Sequence, residues 1–264
     1  MNHMDQIQEH MVLETAMEAG HILLENGAEI FRVEETMERI CRHYGVESGN
    51  FFVLSNGIFT TGGQGPLGLY AKVKHIPVRG AQLDKVVAVN QLSRQVEAGQ
   101  YTIEEVREQL EEIRSIPHKK SWKQVMASAI GSAAFCMLFG GSIRDSLVAL
   151  FAGMLLHLFI LKICVPGRLS KIIVNICGGA LVTLVCILGY HGGLGQNLSF
   201  MISGSIIPLV PGVAFTNGIR DIADGNYISG SVRLLDAILG FLCIAIGVGL
   251  TFTIYQRVMG GAMP

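Results

Sequence analysis

The sequence has 264 residues, of which 50% are apolar and 16% are charged, and its formal net charge is −1. Soluble domains carry about 25% charged residues, so this composition argues against a single water-soluble globule. The lack of net positive charge argues against nucleic acid as a partner. Because 29 of the 41 charged residues precede Ser121, we predict a soluble N-terminal domain over residues 1–120 and a membrane domain over residues 121–264.

Residues 1–120 predict a small α+β domain with the element order ααβαα. The Asn56-Gly57 pair indicates either a hairpin turn or a bulge in one longer strand, and Thr102 with Glu105 forms a capping box at a helix start. Helical spacing of apolar residues, including Val12, Ala16, Ala19 and Leu23, predicts helices over about 12–26, 29–44, 82–98 and 102–116, with extended segments over 51–61 and 70–78.

This domain contains no recognisable catalytic or metal-binding motif. Gly63–Gly68 matches GxGxxG, but Pro66 removes an amide and a strand is expected to follow, so we interpret it as a connection between strands. His21, His43 and His75 are isolated and are interpreted as structural or surface residues. There is no CxxC pair, so neither a zinc site nor a disulfide framework is predicted. We predict no enzyme activity, no metal and no cofactor; a hydrolase built from dispersed residues, anchored to the membrane, is the alternative.

Residues 121–264 are apolar enough for about five membrane-spanning helices, since a helix needs about 20 residues to cross a bilayer. The candidate segments are Ser121–Phe139, Ser146–Cys164, Ile172–Tyr190, Leu198–Ile219 and Leu234–Tyr255. Lysine and arginine are concentrated on the side shared with the N-terminus, and the N-terminal segment lacks the apolar core of a signal peptide. We therefore expect the N-terminus in the cytoplasm and the C-terminus outside.

The fourth segment contains Pro208, Pro211 and Gly212. Each proline removes a backbone donor and clashes with the preceding turn, so we predict a helix break near the middle of the segment. Discontinuous helices form substrate sites in transporters because their ends expose polar backbone groups. A simple proline kink that serves only packing is the alternative.

Polar and charged residues are concentrated directly after this predicted break. Three of the four acidic residues of this half of the chain, Asp221, Asp224 and Asp236, lie there. Arg233 and Asp236 are three residues apart and would share a helical face. Charges near a membrane often mark a solute path, and a cytoplasmic loop with ordinary interfacial charges is the alternative. Asn175 and His157, inside other segments, are interpreted as contacts between helices.

The segment PLVPGVAFTNGIRDIADGNYISGSVRLLDA resembles the signature PGxxxTNxIRDxxxGDxxSGxxR of the threonine/serine exporter (ThrE-type) family. The blocks ENGAEIFRVEETMERICRHYG and RGAQLDKVVAVNQLSRQVEAGQYTIEEV are similar to the helical blocks of the same family, so the resemblance covers nearly the whole chain. Asn226 stands where the family usually has an acidic residue. We therefore assign no role that needs a carboxylate to position 226.

The resemblance implies the larger chain of a split exporter in the bacterial inner membrane, paired with a small YjjB-type membrane subunit. A homo-oligomer and a regulatory or assembly subunit are alternatives. The implied substrate is a small carboxylate or amino acid, either threonine and serine or a succinate-like dicarboxylate. In this hypothesis substrate binding or translocation is assigned to Ser203, Ser205, Pro208, Pro211, Gly212, Thr216, Asn217, Arg220 and Arg233, and proton coupling to Asp221, Asp224 or Asp236.

Overall fold

The computed structural model describes residues 3–46, 49–62, 70–77, 80–117, 119–163 and 169–258, and the Gly63–Gly68 motif lies outside these ranges. The chain divides into two compact units. The first unit is Met1–His118 with Val213–Leu235, and the second unit is Lys119–Gly212 with Asp236–Pro264. That residues 1–120 act as a separate soluble domain stays a prediction.

In the first unit two helices, a sheet and two further helices follow one another in the predicted order. The sheet is antiparallel with the strand order β1-β2-β3, and Leu54 pairs with Gly57 across the predicted hairpin turn. The elements are α1 His3–Glu25, α2 Ile30–His43, β1 Asn50–Leu54, β2 Gly57–Gly62, β3 Tyr70–His75, α3 Leu83–Glu97 and α4 Ile103–Ser115.

One hydrophobic core joins these elements. The predicted inward face of α1 is confirmed, because Val12, Ala16, Ala19 and Leu23 are all buried. Full burial of an aliphatic side chain contributes about 1.5–3 kcal/mol, so this face is a main source of stability for the unit. The predicted capping box is also present, since the Thr102 hydroxyl accepts the Glu105 N–H while the Glu105 carboxylate accepts the Thr102 N–H at 2.7 Å.

Helices dominate the described chain after residue 119. Small residues let α5 and α6 pack closely, and the Ser128 hydroxyl donates to the Gly153 carbonyl at 2.9 Å between them. The helices are α5 Ser121–Leu138, α6 Ile143–Lys162, α7 Lys171–His191, α8 Leu198–Ile206, a 3₁₀ turn Ile207–Leu209, α9 Gly212–Ala223 and α10 Tyr227–Val258.

Three of the described helices, α6, α7 and α10, are long and apolar enough to cross a membrane. The pair formed by Leu198–Leu209 and Gly212–Ala223 makes a fourth if it is counted as one bent span. Helix α5 matches the first predicted span in position, but Lys123 and Gln124 in its first turn lower its average hydropathy. A fifth span through α5 therefore stays a prediction.

The loop predicted between the fourth and fifth segments is wrong in length. Helix α9 continues to Ala223 and α10 begins at Tyr227, so only a short turn separates them. Gly225 takes a left-handed φ of 89° in this turn. The serine and glycine residues around position 230 favour a loop by their local preferences, but the structure has a helix there. Gly230 packs against α9, because an added Cβ would lie 2.8 Å from the Gly218 carbonyl oxygen. Close helix packing therefore overrides the local preference.

Candidate functional site

The fourth apolar segment is broken at its two prolines. Helix α8 gives way to the 3₁₀ turn and then, after a bend of 66°, to α9. Pro208 and Pro211 carry no N–H and cannot donate to the carbonyl four residues earlier, so each removes one helical hydrogen bond. The Val210 N–H bonds to the Ile207 carbonyl at 3.0 Å instead. The predicted helix break is confirmed.

Side chains from α7 and α10 lie beside the break. A Cβ added to Gly240 of α10 would lie 3.1 Å from the Pro211 ring and 3.5 Å from the side-chain nitrogen of Asn175. The absence of a side chain at Gly240 therefore lets the ring and the amide come close to α10. Asn175 was interpreted from the sequence as a helix contact, and the structure adds that its amide stands next to the broken segment. The signal available in the sequence was a single amide in an otherwise apolar helix.

The predicted site residues of the second unit differ in accessibility. Ser205 is completely buried, and its hydroxyl donates to the Met201 carbonyl at 2.7 Å within its own helix. Ser203 is half-buried, while Gly212 is exposed and has open space around the position of an added Cβ. The backbone at the end of the break is therefore more accessible than the Ser205 hydroxyl.

The segment that follows the break folds into a pair of helices, which we call the α9–α10 hairpin (residues 213–235). Gly218 and Gly230 lie at their crossing, where neither has room for a side chain. The Asn226 N–H bonds to the Asp221 carbonyl at 2.8 Å and closes the turn. Asn226 directly precedes α10, a position where asparagine serves as well as aspartate. The departure from the family signature is therefore compatible with the local fold.

Charged and amide side chains of the hairpin contact the turn between α1 and α2 within the first unit. Asn217 donates to the Gly27 carbonyl at 2.8 Å, and Arg220 forms an ion pair with Glu29. Asp221 is completely buried. One of its carboxylate oxygens accepts the Ile30 N–H at 2.9 Å, and the other accepts from Arg233 at 2.9 Å.

The remaining predicted residues have separate surroundings. The Thr216 hydroxyl is exposed and donates to the Val213 carbonyl at 3.2 Å. Asp224 is exposed in the turn of the hairpin. Asp236 pairs with Lys171 at 3.2 Å in the second unit, so it does not pair with Arg233 as the shared helical face indicated.

The structure thus divides the predicted site residues into two groups. The break and its serines belong to the second unit, whereas Thr216, Asn217, Arg220, Asp221, Asp224 and Arg233 belong to the first. Both arginines already have carboxylate partners inside the chain. Among the described residues, no three histidine, cysteine, aspartate or glutamate side chains are grouped so that they could hold a metal ion.

Known proteins resemble the chain over a stretch that includes the predicted site residues of both units. A model of the family described as "Putative threonine/serine exporter" matches residues 14–255. The "Probable succinate transporter subunit YjjP" of Klebsiella aerogenes is 24% identical over 253 residues, which cover 95% of this chain and 96% of the relative. The protein of the same name from Escherichia coli is 24% identical over 94% of this chain and 96% of its own length. "Pheromone-regulated membrane protein 10" of Debaryomyces hansenii is 24% identical over 70% of this chain but only 19% of its own. No solved structure gives a significant match.

Proposed function

Because this chain belongs to the threonine/serine exporter family, we propose that it is one subunit of a secondary exporter for small carboxylates or amino acids. Its partner in this proposal is a small membrane subunit of the YjjB type, and the complex works in the bacterial inner membrane with the N-terminus in the cytoplasm. The name "transporter subunit" of the two YjjP relatives supports a partner chain. Threonine, serine and succinate are the substrates to test first.

The break in the fourth apolar segment is the observation that carries this proposal. A polar solute crosses a bilayer where polar groups of the protein line its path, and interrupted helices bring polar backbone groups to such a path. Here two prolines interrupt the helix within four residues, and an exposed glycine follows directly. These features support a solute site at the break.

Ser203, Gly212 and Asn175 are the residues that we propose for contact with the solute in the second unit. The half-buried Ser203 hydroxyl and the Asn175 amide both offer hydrogen bonds, and the Asn175 amide is close to Pro211 at the break. Thr216 and Arg220 lie in the first unit. A role for Thr216 and Arg220 in substrate binding stays a prediction from the sequence.

The test is efflux from proteoliposomes loaded separately with labelled threonine, serine or succinate. Vesicles contain this chain, the small subunit, or both. We expect efflux of one solute class only when both chains are present. Efflux supported by the small subunit alone would instead assign this chain a regulatory role, and the absence of efflux with folded protein in all three preparations would refute the proposal.

A proline variant locates the solute path. The double substitution Pro208→Ala and Pro211→Ala restores two backbone donors and favours a continuous helix, so we expect at least about a tenfold loss of efflux rate, consistent with the cost of a misplaced site. Pro77→Ala, at an exposed position outside the helices of the first unit, is the matched control and should leave the rate unchanged. Equal rates for the double variant and the control would contradict a site at the break.

A further inference from the structure

Helix α2 receives its N-terminal hydrogen-bond acceptor from a residue far along the chain. The residue before it, Glu29, makes no side-chain capping bond. The first N–H groups of a helix need acceptors, and a carboxylate is among the best. Asp221 supplies one at 2.9 Å to Ile30, although 191 residues separate the two.

The surroundings of Asp221 fit an acceptor that is held in place. Its second oxygen accepts from Arg233, whose side chain is only 10% exposed. A buried carboxylate is tolerated when charge and hydrogen bonds compensate its lost hydration, and both oxygens are occupied in this way. Asn217 and Arg220, on the same helix as Asp221, add contacts to Gly27 and Glu29 in the turn that precedes Ile30.

The α9–α10 hairpin that carries Asp221 continues into the second unit at both ends. Its first end follows Gly212 at the helix break, and its second end leads through Leu235 into the rest of α10. The glycine crossing at Gly218 and Gly230 ties the two helices of the hairpin closely together. A displacement of the hairpin would therefore reach the break directly through the backbone.

We propose that Asp221 is a positioning residue, which caps α2 and fixes the α9–α10 hairpin to the α1–α2 turn, so that the two segments of the first unit move as one body during transport. This inference rests on the proposed exporter function. It differs from the coupling-proton role predicted from the sequence, because the positioning role needs an acceptor atom at residue 221 whereas the proton role needs a titrating carboxyl group.

Two double variants separate these roles. Asp221→Asn with Arg233→Gln keeps an oxygen acceptor for the Ile30 N–H, and Asp221→Ala with Arg233→Gln removes it. The shared Arg233→Gln change avoids an unpaired buried guanidinium in both. The two double variants differ only at residue 221 and are compared with each other and with the wild type, because Arg233→Gln alone would leave the buried Asp221 carboxylate without its cation. Glu108→Asn and Glu108→Ala, at an exposed acidic position of α4, are matched controls in the same unit.

Hydrogen exchange at the start of α2 and efflux from the two-subunit proteoliposomes are both measured. For the variant with alanine we expect the exchange rate of the Ile30 amide to rise about tenfold, as loss of an N-cap implies. We expect the efflux rate of the same variant to fall by at least about tenfold. The variant with asparagine should stay within about threefold of the wild type in both measurements, because asparagine caps helices as well as aspartate does. The Glu108 variants should match the wild type.

Three results would overturn the inference. Unchanged exchange at Ile30 in the alanine variant would show that Asp221 does not cap α2. Retained exchange protection with lost efflux in the asparagine variant would show that transport needs the charged groups of the Asp221–Arg233 pair rather than an acceptor atom alone. Raised exchange without any loss of efflux in the alanine variant would show that transport does not use the attachment. If the wild type gives no efflux, the proposed function fails, and the exchange comparison still decides the capping contact independently.

Discussion

Replacement of Gly204 by alanine should weaken the packing of α8 against α5. A Cβ on Gly204 would lie 2.6 Å from the backbone nitrogen and 2.7 Å from the Cα of Cys136. Ordinary contacts of this kind begin at about 3.4 Å, and a backbone cannot rotate away as a flexible side chain does, so the two helices must separate. Such overpacking costs about 1–3 kcal/mol.

Gly131→Ala is the matched control because it makes the same chemical change in α5. Nothing lies within 4 Å of a Cβ at Gly131, so alanine there should gain roughly 0.5–1 kcal/mol of helix stability. The two variants should therefore differ by about 1.5–4 kcal/mol in the free energy of unfolding. For a chain of this size each kcal/mol corresponds to about 2–4 °C, which predicts Tm values about 3–16 °C apart.

The assay is thermal unfolding of the purified chain in one detergent, followed by near-ultraviolet circular dichroism for the wild type and both variants. A lower Tm for Gly204→Ala and an equal or higher Tm for Gly131→Ala would support the close crossing of α5 and α8. Equal Tm values for the two variants would refute it, because the reasoning depends only on the different space around the two glycines.

Three further predictions concern single polar side chains. Asp145→Asn should lower the free energy of unfolding by about 1–3 kcal/mol, because an amide replaces one acceptor oxygen by a donor. One Asp145 oxygen accepts the Gln196 and Asn197 N–H groups, and the other accepts from Ser142. An unchanged Tm in thermal unfolding would contradict this prediction. Thr102→Ala should cost about 0.5–2 kcal/mol by loss of the capping box, with faster hydrogen exchange confined to the start of α4. The nearby His21 ring, Lys74 and Arg114 lower the pKa of Glu18 to about 2 despite its burial. Ionised Glu18 should therefore contribute about 1–2 kcal/mol to the free energy of unfolding above pH 4.5, and this contribution is lost as the pH falls toward 2. Glu18→Gln should remove this part of the pH dependence of stability, whereas Glu108→Gln should leave it intact.

Features with a local cause could be predicted from the sequence. The hairpin turn at Asn56-Gly57, the capping box at Thr102 and the break at Pro208 and Pro211 each follow from backbone preferences of a few neighbouring residues. The buried face of α1 follows from helical periodicity. These features do not depend on which distant segment packs against them.

Features that depend on distant contacts could not be predicted. The sequence places Asp221 near a membrane segment but gives no sign that its carboxylate caps α2, 191 residues earlier. The start of α10 was interpreted as a loop because Ser229, Gly230 and Ser231 disfavour helix locally, whereas contact with α9 decides the outcome. Pairing of Asp236 with Lys171 rather than with Arg233 likewise depends on which helices meet.

The discontinuity of the first unit has a consequence for biosynthesis. Its final segment, Val213–Leu235, is made only after Lys119–Gly212 has been synthesised. At a translation rate of about 5–20 residues per second, roughly 10–40 seconds separate the synthesis of Ile30 from the synthesis of Asp221. The nascent N-terminal region therefore emerges with α2 uncapped and its contact surface for the hairpin open. The contacts of Asn217, Arg220 and Asp221 with the α1–α2 turn therefore form only after residues 213–235 have left the ribosome.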